Sequence, residues 1–298
     1  MRGLLASTFA SMENNGPSRT ALVTAYARAY HQIADRPTIF ADTLAASLLG
    51  TTANELDDLS ARANDDLATV ISDRERRLFF AARARFAEDS IARALGSGTR
   101  QVVILGAGLD TFGYRNPHPD VRVFEVDHPA TQAWKRDRLS SADIDHPETL
   151  TFVPVDFETQ DLATELDVVG FSRTESAIFV WMGVVFYLTR SAAHATLEYV
   201  ATQTSPVEVV FDYLRSADTD ADRAHLQARA ERLARAGEPL VSYFTPDGIA
   251  RELRDLGFTD IEDRAAQDLI EMYLGESSRL GSEPTRTLQA SRILCARR

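Results

Sequence analysis

The rhythm of apolar positions changes near residue 100. Upstream, Ala21 to Ile33 and Leu67 to Leu95 are rich in Ala, Arg and Leu, with apolar residues at helical spacing, and Arg36-Pro37 marks a break between helices. Downstream, short aliphatic and β-branched runs alternate with helical stretches. Gln101 to Leu105, Val121 to Val126, Thr151 to Val155, Ala177 to Trp181 and Glu208 to Tyr213 read as strands. Such runs suit strands covered on both faces, as in parallel sheets. Between them, Ala130 to Leu139 reads as a helix with Pro129 near its first turn, Glu158 to Glu165 as a second, and Thr189 as the N-cap of a third running through Val200. This alternation predicts right-handed crossovers and one parallel sheet.

The last third of the chain follows the same logic. Asp218 to Ala236 is an acidic, then arginine-rich helix inserted between core strands; its charge runs read as solvated faces and receive no chemistry. Phe244 to Leu256 is a helix with Thr245 as cap and Pro246 at its first position, ended by Gly257-Phe258. Leu288 to Ala296 reads as a final strand.

The chain is organised around Gln101 to Arg115, QVVILGAGLDTFGYR, a buried strand followed by a glycine turn and a helix start. Gly106 and Gly108 allow a sharp turn and close approach to a ligand, towards which the next helix would aim its free N–H groups. A dinucleotide fingerprint needs a third glycine for close helix packing, and Thr111 holds that place. Asp127 ends the second strand about twenty residues past the turn, where an acid suits the hydroxyls of a ribose. A plain tight turn would also produce GxG and a later acid.

The segments VVILGAGLDTFGYR, VFEVDHPATQAWKRDRL, FVPVDFE and WMGVVFYLT, in this order, resemble the leucine carboxyl methyltransferase family of S-adenosylmethionine-dependent O-methyltransferases, which includes bacterial and polyketide-tailoring members. The resemblance begins near Ser18-Arg19-Thr20-Ala21 and reaches the last strand. It implies an α/β fold with a Rossmann-like class I methyltransferase sheet, mostly parallel, closed by an antiparallel last strand. It implies a helical cap or lid over residues 1–100, and a cofactor-binding core over 101–298 with a helical insertion near 215–240.

Site residues follow from the same resemblance. Within FAARARF, Arg83 would bind the methionine carboxylate of S-adenosylmethionine, a task suited to a planar guanidinium. Gly106, Ala107, Gly108 and Asp110 would form the turn against the cofactor, with Asp127 and His128 at the ribose. Asp156 would hold the adenine amino group, and Phe157 would line the ring. Met182 stands where several family members carry an acid. Tyr187 matches a tyrosine of the family pattern and would edge the pocket. Four of these have a plainer reading: Arg83 as a solvated arginine, Asp156 as a helix cap, Asp127-His128-Pro129 as a helix start, Tyr187 as a packing tyrosine.

Composition narrows the remaining choices. The chain has 298 residues and 44% apolar content, enough for one large α/β domain or a domain with a cap. A formal net charge of −12 argues against nucleic-acid partners. The single cysteine, Cys295, excludes an intrachain disulfide and reads as a small buried hydrophobe. No apolar run approaches the roughly twenty residues of a membrane span, so a cytoplasmic protein is expected. Six scattered histidines suggest no metal.

Methyl transfer is an in-line displacement, and a carboxylate acceptor is already ionised at neutral pH. A phenol or alcohol would need a base, for which His128, Tyr187 and Tyr213 are the weak candidates. The expected partner is a small-molecule methyl acceptor. Two other readings stand beside it: a nicotinamide-dependent oxidoreductase, disfavoured by Thr111 and the lack of a Tyr-x-x-x-Lys pair, and a non-catalytic S-adenosylmethionine-binding protein.

Overall fold

The computed structural model describes residues 18–62, 66–156, 160–204, 206–235, 237–275 and 285–298. Helices come first, as the periodicity predicts. Ser18 opens α1 (Arg19–Ala34) by accepting the Ala21 N–H on its hydroxyl at 3.0 Å. Two short helices follow, α2 (Ala45–Leu49) and α3 (Ala53–Ser60). The stretch expected as helical from Leu67 to Leu95 is two helices, α4 (Asp66–Ser72) and α5 (Arg74–Gly96). The cause is Asp73, whose carboxylate accepts the Arg76 N–H at 3.2 Å and so starts a new helix.

Seven strands form one sheet in the order β3-β2-β1-β4-β5-β7-β6. β1 (Gln101–Leu105) is the middle strand of the parallel part, with β2 (Arg122–Asp127) on one side and β4 (Ala177–Trp181) on the other. β3 (Leu150–Pro154) and β5 (Val207–Leu214) extend the parallel part. β7 (Ser291–Arg297) runs antiparallel between β5 and β6 (Asp260–Ala265). This strand order, mostly parallel with an antiparallel last strand, is the sheet that the resemblance implies. The strand order reverses between β1 and β4, so a ligand crevice is expected at the carboxyl ends of those strands.

Between the strands run α6 (Phe112–Arg115), α7 (Pro129–Ser141), α8 (Leu162–Val168), α9 (Arg190–Ala201), α10 (Asp220–Arg235), α11 (Pro246–Asp255), α12 (Ala266–Leu274) and α13 (Arg286–Ala290). Three details differ from the sequence reading. Leu288 belongs to α13, capped by Thr285, and the last strand begins at Ser291. β6 has no counterpart in the sequence reading because DIEDRA lacks a buried alternating face; it is a charged edge strand. The helix after the glycine turn, α6, is a single turn of four residues, too short to act as a helix dipole.

Both sheet faces are covered. On one, Val102, Ile104, Ile178 and Val180 pack against Leu78, Ala82 and Phe86 of α5. On the other, Val103, Leu105, Phe179 and Phe211 meet Leu197 of α9 and Ile249 of α11. A third cluster, with Leu22, Leu48, Leu56 and Leu67, joins the helices α1 to α4. Cys295 is fully buried in the first layer, and burial pushes its thiol up to about 11, so it is un-ionised and unreactive at neutral pH. Among the described residues no helix is long and apolar enough to cross a membrane.

Candidate active site

At the switch between β1 and β4 lies a cavity of about 610 Å³. Its walls bring together residues far apart in sequence: Arg83 of α5, Gly106 to Asp110 after β1, Asp127 and His128 after β2, Asp156 after β3, and Met182 after β4. The sequence reading named all of these except Leu109. Phe157 lies outside the described residues.

The glycine turn is shaped by close approach. Gly106 and Gly108 have φ of 62° and 51°, a region that costs L side chains energy. A Cβ on Gly106 would collide with Val184, and one on Gly108 would sit 3.1 Å from the Ala21 methyl. Asp127 seals the turn: one carboxylate oxygen accepts the Gly108 N–H, the other the His128 N–H at 2.6 Å. Burial raises the Asp127 pKa, while those two donors work to lower it. Asp110 accepts the Phe112 N–H at 2.7 Å, fixing the start of α6.

The N-cap of α8 is Asp161, which accepts the Thr164 N–H at 2.8 Å. The helix expected from Glu158 therefore begins at Leu162, and Asp156 lines the cavity.

Arg83 is not a solvated arginine. It is 5% exposed, its Nη1 donates to Asp212 at the end of β5, and its Nη2 donates to Thr24 of α1 at 3.2 Å. The ring of Phe80 lies 4.7 Å from the guanidinium carbon. A guanidinium carries five N–H donors, so these two bonds leave capacity for a ligand carboxylate. The other Asp212 oxygen accepts the Gly183 N–H at 2.6 Å. An acid thus does reach the corner where Met182 stands, but from a neighbouring strand.

The three candidate bases fare differently. Tyr187 lines the cavity, and its hydroxyl begins a chain: it lies 2.6 Å from Thr20 Oγ1, which donates to Glu238 at 2.6 Å. Burial first, then the charge of Glu238, push Tyr187 up to about 12, so it stays protonated at neutral pH. Tyr213 is a correction. It points away from Asp212, as adjacent strand residues must, packs on Phe244 and donates its hydroxyl to Asp263 at 2.6 Å. Burial and that bond raise its pKa far out of the useful range. His128 serves α7 as N-cap, its Nδ1 accepting the Ala130 N–H at 3.2 Å.

A second cavity, of about 290 Å³, adjoins the first and shares Thr20, Phe80, Arg83, Tyr187 and Glu238 with it. Among the lining residues not singled out from sequence, four carry polar or charged groups of interest. Thr20 and Glu238 form the polar chain just described. Arg229 and Arg232 come from α10, whose charge run therefore is not wholly a solvated face. Their three-residue spacing places them on one side of that helix, a signal present in the sequence.

The comparisons with known proteins agree with this geometry. The leucine carboxyl methyltransferase family profile matches residues 21–201. YktD of Bacillus subtilis, whose inferred activity is S-adenosyl-L-methionine-dependent methyl transfer, is 32% identical over 285 residues, covering 88% of this chain and 93% of that protein. This chain belongs to the leucine carboxyl methyltransferase family. It is a methyltransferase, with S-adenosylmethionine as cofactor. A Parafrankia protein of the same inferred activity is 32% identical over 193 residues, 64% of this chain and 61% of that protein. The solved structure of a DUF574 family protein from Streptomyces avermitilis shares the fold, with a TM-score of 0.52 at 13% identity over 95% of this chain and 98% of that one.

The larger cavity suits this cofactor in shape and in chemistry. Its floor is a turn that a Cβ at Gly106 would fill, and its walls offer carboxylates for hydroxyl and amino groups and a guanidinium for a carboxylate.

Proposed function

We propose that this chain transfers a methyl group to an oxygen of a small molecule, and that this oxygen belongs to a carboxylate. When bound, S-adenosylmethionine supplies an electrophilic methyl on a sulfonium. The chain's own residues then bind, orient and exclude water. Asp127 would accept the ribose hydroxyls, and Asp156 the adenine amino group. Arg83, pinned by Asp212 and Thr24, would pair with the amino-acid carboxylate. Met182 and Val184 give the wall an apolar surface. Holding acceptor and donor at about 3 Å in line supplies most of the acceleration.

The observation that carries the carboxylate reading is the state of the candidate bases. Tyr187 is protonated, Tyr213 is turned to Asp263, and His128 is spent on a cap. An alcohol acceptor needs one of them, whereas a carboxylate arrives ionised. Apolar residues around the mouth of the second cavity, Phe79, Phe80 and Phe186, favour an acceptor with an apolar body.

The product should be a methyl ester. Mass spectrometry of product made with methyl-labelled donor, before and after mild base, tests this. Loss of the label as methanol is expected; a base-stable methyl group would exclude the carboxylate.

A further inference from the structure

The second cavity is apolar in its walls and cationic in its fixtures. Five arginines line it, Arg19, Arg76, Arg83, Arg229 and Arg232, against two acids. Both acids are engaged inside the protein, Asp212 by Arg83 and the Gly183 N–H, and Glu238 by the N–H and hydroxyl of Thr20. Arg229 is different. Its Nη1 is buried and has no hydrogen-bond partner in the protein, and the described residues place no carboxylate within salt-bridge distance of it. A buried guanidinium N–H without an acceptor is costly, which marks a group awaiting a ligand. Burial, with the charge of Arg76 beside it, lowers its pKa to about 10, so it remains a cation at neutral pH.

The spacing along α5 gives the site a direction. Arg76, Phe79, Phe80 and Arg83 follow one face of that helix and line the second cavity, and Arg83 also lines the first. Arg76 and Arg83 are seven residues apart, so about 10 Å separates them along the helix axis. Among the charged and phenolic groups around Arg229, Arg76 acts on it most strongly, ahead of Tyr187. Aromatic side chains fill the distance between the cationic end and the junction with the donor cavity.

We propose that the second cavity is the acceptor site, and that it takes an elongated apolar molecule with an oxyanion at its far end, held by Arg229 and Arg76. This rests on the methyl-transfer reading for the word acceptor. The reactive oxygen lies at the junction beside Tyr187 and Arg83; the distal anion is not the group methylated. Carboxylate, sulfonate and phosphate share the recognising chemistry, a planar donor fork meeting two oxygens.

The test uses two fluorescent probes with one body. 8-Anilinonaphthalene-1-sulfonate carries an anion, and N-phenyl-1-naphthylamine is the same framework without it. Each is titrated into the protein saturated with S-adenosylhomocysteine, and into Arg229→Met and Arg76→Met, which keep the apolar stem and lose the charge. The sulfonate should bind the unaltered protein more tightly than the neutral probe. Arg229→Met should weaken the sulfonate by about tenfold or more and leave the neutral probe unchanged. Equal affinity of the two probes for the unaltered protein would overturn the proposal without any variant. Unchanged sulfonate binding in Arg229→Met, or parallel loss of both probes, would overturn it as well. Calorimetry of S-adenosylhomocysteine with the unaltered protein runs alongside: no binding there would overturn the methyl-transfer reading, while the probe comparison still decides the anion site.

Discussion

At the scale of single residues, Arg83 shows how one side chain does two jobs. It neutralises a buried carboxylate, Asp212, and it faces the junction of both cavities. Lysine would keep the charge near Asp212 but lose the planar fork. Arg83→Lys should therefore fold with a small change in melting temperature and weaken S-adenosylhomocysteine by about tenfold or more, as read by calorimetry. Wild-type affinity in that variant would confine Arg83 to a structural role. The same residue also shows what a sequence carries. RARF placed it on a helix, but its burial depends on Asp212, 129 positions later, and no local pattern encodes that pairing. Tyr213, a candidate base, failed for the opposite reason: strand alternation turns its side chain to the face opposite Asp212, where its hydroxyl donates to Asp263.

At the scale of elements, the decisive connection is between α1 and the glycine turn. Arg28 of α1 donates to Asp42 at 3.0 Å and to the Leu109 carbonyl at 2.7 Å, and Thr111 donates to the other Asp42 oxygen at 2.6 Å. Burial works to raise the Asp42 pKa, but Arg28, Thr111 and Arg115 together hold it below the usual carboxylate range. Thr111, which replaces the third glycine of the dinucleotide fingerprint, is thus a link from the turn to the cap helices. Asp42→Ala leaves the buried Arg28 short of its acceptor, and should cost about 3–5 kcal/mol in denaturant unfolding. A loss below about 1 kcal/mol would mean the network is dispensable. Strands with strong apolar runs, such as Ala177–Trp181, were legible to the residue. β6 and the break at Asp73 were not, because an edge strand needs no apolar face and a one-residue cap barely disturbs helical periodicity.

At the scale of the whole molecule, Glu125 makes stability depend on pH near neutrality. Glu125 sits fully buried in β2 beside Lys135, its Oε2 2.5 Å from the ammonium and its Oε1 without a hydrogen bond. Burial, only partly opposed by Lys135, pushes its pKa from 4.5 up to about 7. The folded chain therefore holds this proton more tightly than the unfolded one. The contribution is full below pH 4.5 and is lost as pH rises through about 7. Between pH 5 and pH 8 the unaltered protein should lose up to about 3 kcal/mol more stability than Glu125→Gln. Equal losses in the two proteins, measured by denaturant titration, would assign the pH dependence elsewhere.

The central claim is that the cavity between the glycine turn, Asp127 and Arg83 binds S-adenosylmethionine. Isothermal titration of S-adenosylhomocysteine and of NAD into the unaltered protein and into Asp127→Ala tests it most directly. The predicted result is saturable binding of S-adenosylhomocysteine, none of NAD, and a loss of about 1–3 kcal/mol in the variant. Binding of NAD, or undiminished S-adenosylhomocysteine affinity in a folded Asp127→Ala, would contradict it.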